Sequence, residues 1–231
     1  MKKPYWLERL PSLSAAVVDF DRNRDTLLAM DFTDANQDLT DSVVTDTDAF
    51  SEYITNQLQA ANARYGIGGY DELRTVYSRS SVFDGGASAG EPRRLHLGID
   101  IWGAAGSPVY APLAGTIHSF AFNDHYGDYG ATIILAHRVD EQVFHSLYGH
   151  LSLSDLDELY EGKQVEQGSR IAGFGQPSEN GHWPPHLHFQ LIIDMEGKKG
   201  DYPGVCKLSE RDLYLANCPN PDGILQLMQY A

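Results

Sequence analysis

The sequence predicts a mainly β protein, an antiparallel sheet sandwich or barrel with a smaller α+β lobe at its N-terminal end. Three observations predict it. Beyond about residue 90 the chain breaks into short apolar runs divided by frequent turns: Val109 to Tyr110, Gly115 to Phe122, Ala131 to His137, Val143 to Tyr148, Arg170 to Phe174 and His188 to Ile193. Before that point, Phe50, Tyr53, Ile54, Leu58 and Ala61 recur at spacings of three and four, the mark of an amphipathic helix. The small, flexible stretch from Asp84 to Gly90 separates the two patterns and makes the best boundary between them.

In chain order, residues 1–90 form the N-terminal lobe. Its runs Ala15 to Phe20 and Thr26 to Phe32 flank the polar Asp21-Arg22-Asn23-Arg24-Asp25 and predict a β-hairpin. The helix is expected from Thr47 to Ala63, capped by Thr47 or Asp48 and ended by Gly66, and a shorter one from Tyr70 to Tyr77. Asp34-Ala35-Asn36-Gln37-Asp38 opens like a calcium loop. Leu39 and Thr45 stand where such a loop needs Gly and Glu, so the segment reads as a solvated acidic loop. No chemistry is visible in this lobe. In residues 91–195, Gly127 to Gly130 reads as a turn, and one short helix is expected, with Ser154 as cap, Leu156 and Leu159 inward and Gly162 closing it. Residues 196–231 are an additional C-terminal extension packed on that domain.

The 231 residues, 42% hydrophobic and 11% aromatic, suffice for a proper core. A formal charge of −15 argues against nucleic acid and anionic membrane, both of which need a basic face. The two cysteines, Cys206 and Cys218, give no disulfide framework, and reduced thiols are the simpler account of them than a single bridge. Lys2 and Lys3 are followed by Pro4, Glu8, Arg9 and Pro11 rather than by an unbroken apolar run, and nowhere is a stretch long enough to span a bilayer. The expectation is a cytoplasmic protein.

Two short motifs carry the chemistry, His96-Leu97-Gly98-Ile99-Asp100 and His186-Leu187-His188-Phe189-Gln190. Side chains two apart on a strand share a face, so His186 and His188 can converge on one centre. His96 and Asp100, four apart, can join them from a neighbouring strand or bulge, which Gly98 and the β-branched Ile99 and Ile101 favour over a helix. A catalytic zinc takes three protein ligands of this kind and keeps a position open, which leaves one of the four groups to carry protons.

These motifs, with Tyr148-Gly149-His150-Leu151-Ser152 and Gly106-Ser107-Pro108-Val109-Tyr110-Ala111-Pro112, resemble the M23 family of metallopeptidases, the lysostaphin and LytM type, over roughly Glu91 to Ile193. The resemblance implies the LytM (duplicated hybrid motif) sheet fold, a zinc ion held by His96, Asp100 and His188, and two non-ligand histidines, His150 and His186. It further implies an endopeptidase acting on peptide or peptidoglycan-type cross-links. Zinc lowers the pKa of bound water from about 16 towards 7. His150 or His186 would take the proton and the other would serve the oxyanion or the leaving amine, in an order the sequence leaves open. His118, His125, His137 and His182 read as non-catalytic. Trp183, Tyr148 and His145 are candidates to line the substrate groove, and the Trp183-Pro184-Pro185 run is bulky where many relatives are small and polar.

Two other functions fit parts of the pattern. A phosphocarrier of the phosphotransferase IIA type also uses two histidines, but it has no use for Asp100. A non-peptidase binding or regulatory module could retain zinc, with residues 1–90 as a partner-docking surface.

Overall fold

Alternation of apolar and polar residues along the strands builds one eight-stranded sheet, and its two faces have different tasks. The computed structural model describes residues 5–84 and 90–231. The boundary expected at Asp84 to Gly90 therefore lies mostly outside the described residues. In spatial order the sheet runs β1 (Leu27–Met30), β2 (Tyr65–Gly68), β5 (Ile99–Trp102), β12 (His186–Ile192), β9 (Gln142–Leu151), β8 (Gly130–Val139), β7 (Gly115–Asn123) and β10 (Gln164–Val165). All neighbours pair antiparallel except β1 with β2. Two small sheets accompany it: β6 (Pro108–Tyr110) with β11 (Arg170–Gly173), and β3 (Glu72–Leu73), β4 (Leu95–His96) and β13 (Val205–Cys206) with β4 in the middle. The protein is thus mainly β around a large antiparallel sheet.

Leu187, Phe189 and Leu191 of β12, Ile99 and Ile101 of β5 and Phe144 and Tyr148 of β9 pack on one face against helices α1 (Tyr5–Leu13) and α5 (Asp222–Leu225). Burying such a side chain contributes about 1.5–3 kcal/mol. The same register therefore fixes His186, His188 and Gln190 on the opposite face. There the cover comes from α3 (Thr47–Ala60), which follows the short α2 (Asp41–Val44), and from the C-terminal residues Tyr202, Cys206 and Cys218 around α4 (Arg211–Asn217). Both cysteines are buried and unbonded. No helix among the described residues is long and apolar enough to cross a membrane.

Four local expectations are corrected. The two runs expected to form a hairpin separate: Val18 bridges Val109 beside the small β6–β11 sheet, while β1 joins the large sheet next to β2. Arg64 reaches across to both Asp19 and Asp25, holding the intervening loop open. The α3 helix is capped by Asp46, whose carboxylate accepts from Asp48 N and Ala49 N at 2.9 Å each. It ends with Asn62 in the left-handed region (φ 49°). Gly66 instead lies within β2, where a Cβ would meet Met30 Cγ at 2.8 Å. The helix expected from Tyr70 to Tyr77 is replaced by β3 and a 3₁₀ turn at Val76–Arg79, because Glu72 and Leu73 pair with His96 and Leu95. The helix near Ser154 is a 3₁₀ turn, Leu153–Leu156, whose N-cap position is Ser152, two residues before the expected cap, with Leu156 and Leu159 packed on the core.

Candidate metal centre and active site

His96 closes the short strand β4, and Asp100 belongs to β5 in a different sheet, so the HxxxD motif bends between two strands. Gly98 permits the bend, since a Cβ there would stand 2.5 Å from His188 Cε1 and 2.8 Å from Phe189 O. The fold of the motif brings His96 Nε2 to 3.0 Å from His188 Nδ1 and to 3.3 Å from Asp100 Oδ1. His188 Nδ1 lies 3.0 Å from the same Asp100 oxygen. Among the described residues, these three form the group of His, Cys and carboxylate side chains gathered closely enough to hold a metal ion. The Asp34 to Asp38 segment is instead tied up in its own turn, with Asn36 Nδ2 donating to Asp31 O and Asn36 Oδ1 accepting from Asp38 N.

The outer contacts decide what the triad can hold. His96 Nδ1 donates to Gly69 O at 2.9 Å, and His188 Nε2 donates to Gln190 Oε1 at 2.9 Å. Each bond fixes the tautomer and leaves a lone pair on the other nitrogen. Gln190 is itself held in place, its Nε2 donating to Pro203 O and Cys218 Sγ. In these tautomers two nitrogen lone pairs and a carboxylate oxygen converge, a donor set that fits a divalent cation. Burial pushes His96 down to about 4, which keeps the imidazole neutral as a ligand must be. Burial would raise the Asp100 carboxyl, but His96 and Arg74 beside it hold it well below the usual carboxylate range. Arg74, buried against the rings of Phe32 and Trp102, donates to Asp100 Oδ2 and, at 2.6 Å, to Glu72 Oε2.

His150 and His186 stand beside the triad with their rings stacked 4.1 Å apart. His186 arrives by strand alternation from His188. His150 arrives by a bulge: Gly149 and His150 of β9 face only Thr132 of β8, and His150 takes a left-handed backbone at φ 62°. That turn redirects the ring from the core side, where Tyr148 points, to the metal side. His150 Nδ1 donates to Asn180 O at 2.8 Å and His186 Nδ1 to Pro184 O at 2.7 Å, so both carry their lone pair on Nε2. Asn180 also braces the loop, accepting from Trp183 N and donating to Trp183 O. Burial lowers both histidines, His186 to about 4 and His150 well below its ordinary value, the latter also through the neighbouring His186.

A cavity of about 160 Å³ opens beside these groups. Trp183 forms one wall, and Phe32, Phe50, Tyr77 and Phe83 from the first ninety residues roof it. The roof is fastened by Arg79, which donates to His182 O at 3.0 Å and Tyr126 OH at 2.8 Å and lies over Trp183. His96, Asp100, His150, His186 and His188 are at most 6% exposed. Tyr148 and His145 do not line this cavity. Tyr148 packs on Phe189 on the opposite face of the sheet, with its hydroxyl near Ser146. His145 sits towards the far end of β9 from His150, its ring against His118. His137 bonds Ala114 O and Ser146. The sequence reading missed Arg74, Gly69, Asn180 and Pro184; the alternation from His188 could have flagged Gln190.

Residues 94–201 match the family described as Peptidase family M23. The match covers a little under half of the chain and takes in His96, Asp100, His150, His186 and His188. A Haemophilus influenzae protein described as an uncharacterized metalloprotease is 34% identical over 101 residues, 44% of this chain and 19% of that protein. The L-Ala–D-Glu endopeptidase of Bacillus subtilis is 31% identical over 127 residues, 53% of this chain and 36% of that one. The chain therefore spans about a fifth and about a third of the length of these two relatives. Among solved structures, the catalytic domain of the antimicrobial peptidase lysostaphin from Staphylococcus simulans overlaps 71% of this chain and 96% of its own, at 20% identity and a TM-score of 0.39. A zinc-containing peptidase from Vibrio cholerae overlaps 43% and 28% at 26% identity and a TM-score of 0.34. The likeness to M23 rests on the matched segment, which contains the His-Asp-His centre, and not on these loose superpositions.

Proposed function

We propose that this protein is a zinc-dependent peptidase that hydrolyses an amide bond of a short peptide threaded into the roofed cavity. Peptides of the peptidoglycan cross-link type are the substrate class that the M23 match suggests. The observation that carries the reading is the convergence of three lone pairs from His96, Asp100 and His188 beside two further histidines with free Nε2 atoms. Zinc, held by those three residues, supplies a Lewis acid that polarises the carbonyl and makes water nucleophilic near neutral pH.

The chain's own residues supply the rest. His150 and His186 are neutral and stacked, and like charges at that separation repel, so the pair can hold one additional proton but not two. As water adds to the carbonyl carbon, one Nε2 accepts its proton. As the carbon–nitrogen bond breaks, that proton passes to the leaving nitrogen, giving an amine and a carboxylic acid, which releases its remaining proton to solvent as a carboxylate. Asn180 and Pro184 hold both rings by their Nδ1 atoms, so each Nε2 is already aimed when substrate arrives. The aromatic roof excludes bulk water and limits the cavity to small side chains.

The test is hydrolysis of a panel of short peptides, including L-Ala–D-Glu and D-Ala bonds, alongside intact cell-wall polymer. The reading expects zinc-dependent cleavage of short peptides, little release from polymer, and loss of cleavage in His150→Ala and His186→Ala with zinc still bound. Zinc lost together with activity in those variants would point instead to a four-ligand structural site.

A further inference from the structure

We infer that Arg74 is a positioning residue of the metal centre, committing one oxygen of Asp100 so that the carboxylate meets the metal through Oδ1 alone. The inference rests on the metal reading of the triad above. A carboxylate has two equivalent oxygens and can chelate a cation with both. Here they are divided: Oδ1 faces His96 and His188, and Oδ2 receives the Arg74 guanidinium. A carboxylate confined to one oxygen leaves room around the cation for a water and a substrate carbonyl, whereas a chelating one fills that room.

Arg74 is itself built for the position. It is 2% exposed, its guanidinium lies 5.2 Å from the Phe32 ring centroid and 5.6 Å from that of Trp102, and its Nε donates to Glu72 Oε2. Glu72 lies on β3, whose pairing with β4 places it opposite His96. A planar guanidinium can bond Asp100 and Glu72 at once in fixed directions, which an ammonium cannot. Gly69, five residues earlier, supplies the carbonyl that holds His96. The segment from Gly69 to Arg74 thus braces two of the three ligands from outside the stretch that matches the M23 family.

The experiment compares the full chain with Arg74→Gln and Arg74→Lys, each loaded with cobalt(II). Metal affinity is read by competition with a chromophoric chelator, and coordination from the visible absorption of the bound ion, which weakens as the coordination number rises above four. Loss of an outer-shell partner is expected to weaken affinity by about 10- to 100-fold. R74Q should follow that expectation and show the weaker bands of a higher-coordinate ion, with R74K between it and the parent. Glu72→Gln/Arg74→Gln, which removes both buried charges together, is read in the same way and covers the case in which R74Q fails to fold. Parent affinity and parent spectrum in the folded variants would overturn the inference while leaving the metal site standing. A parent protein that binds no cobalt or zinc would overturn the metal reading, and this inference with it.

Discussion

Two pairs of buried histidines sit side by side in this protein, and only one of them is equipped to hold a cation. In both pairs one ring nitrogen of each residue is bound, through Gly69, Gln190, Asn180 or Pro184, and the other is left bare. The rings of His96 and His188 meet edge to face at 4.9 Å with Asp100 between their free nitrogens. The rings of His150 and His186 stack at 4.1 Å and, among the described residues, no carboxylate is hydrogen-bonded to them. The difference teaches that tautomer fixing alone does not define a ligand. A carboxylate with its charge held on turns two neutral imidazoles into a cation site, and its absence leaves two imidazoles suited to carrying a proton.

The sharpest way to break this comparison is to remove Asp100. Asp100→Ala should abolish both metal retention after dialysis and peptide cleavage, because the remaining imidazoles lack the negative charge; metal content per chain and a cleavage assay report it. His150→Ala and His186→Ala should each lower kcat by about 10²- to 10⁴-fold, the usual worth of a positioned proton carrier, with metal content unchanged. If either loses its metal, the division between the pairs fails. Gln190→Leu leaves His188 Nε2 without its acceptor and should weaken metal binding by about 10- to 100-fold, measurable by chelator competition.

The smallest effect is on stability against pH. His96 and His186 fall to about 4 on burial and His150 also falls, while unfolded histidine titrates near 6.5. Below 6.5 the unfolded chain therefore binds more protons than the folded one. Metal-free protein should hold its full stability above about pH 6.5 and lose it progressively as pH falls towards 4. A thermal melting series over that range checks this, and a flat profile would show that the histidines are not held neutral.

Much of the sheet was legible because strand alternation is local. The runs at Gly115, Ala131, Val143, Arg170 and His188 appear where their periodicity puts them, with ends shifted by at most three residues. The hairpin and the 70–77 helix failed for a common reason, that short apolar runs pair with whichever strand the tertiary fold brings alongside. Tyr148 was misplaced as a groove residue because the bulge at His150 inverts the alternation counted from it, and His145 because it lies too far along β9 from His150, against His118. Arg74 had no signal at all: a lone arginine in a short mixed segment looks like any surface cation until its burial is known.

By itself the sequence determined the residue types that chemistry requires and their spacing, since two imidazoles on one strand face and a carboxylate four residues from a third imidazole follow from backbone period. Only the tertiary structure decided which nitrogen of each ring is free, which oxygen of Asp100 faces the histidines, and that the first ninety residues brace and roof the site. Those choices depend on hydrogen-bond partners far apart along the chain, Gly69 with His96, Arg74 with Asp100, Asn180 with His150. No local pattern encodes such pairings, because the energy that selects them exists only once the sheet has brought the partners together.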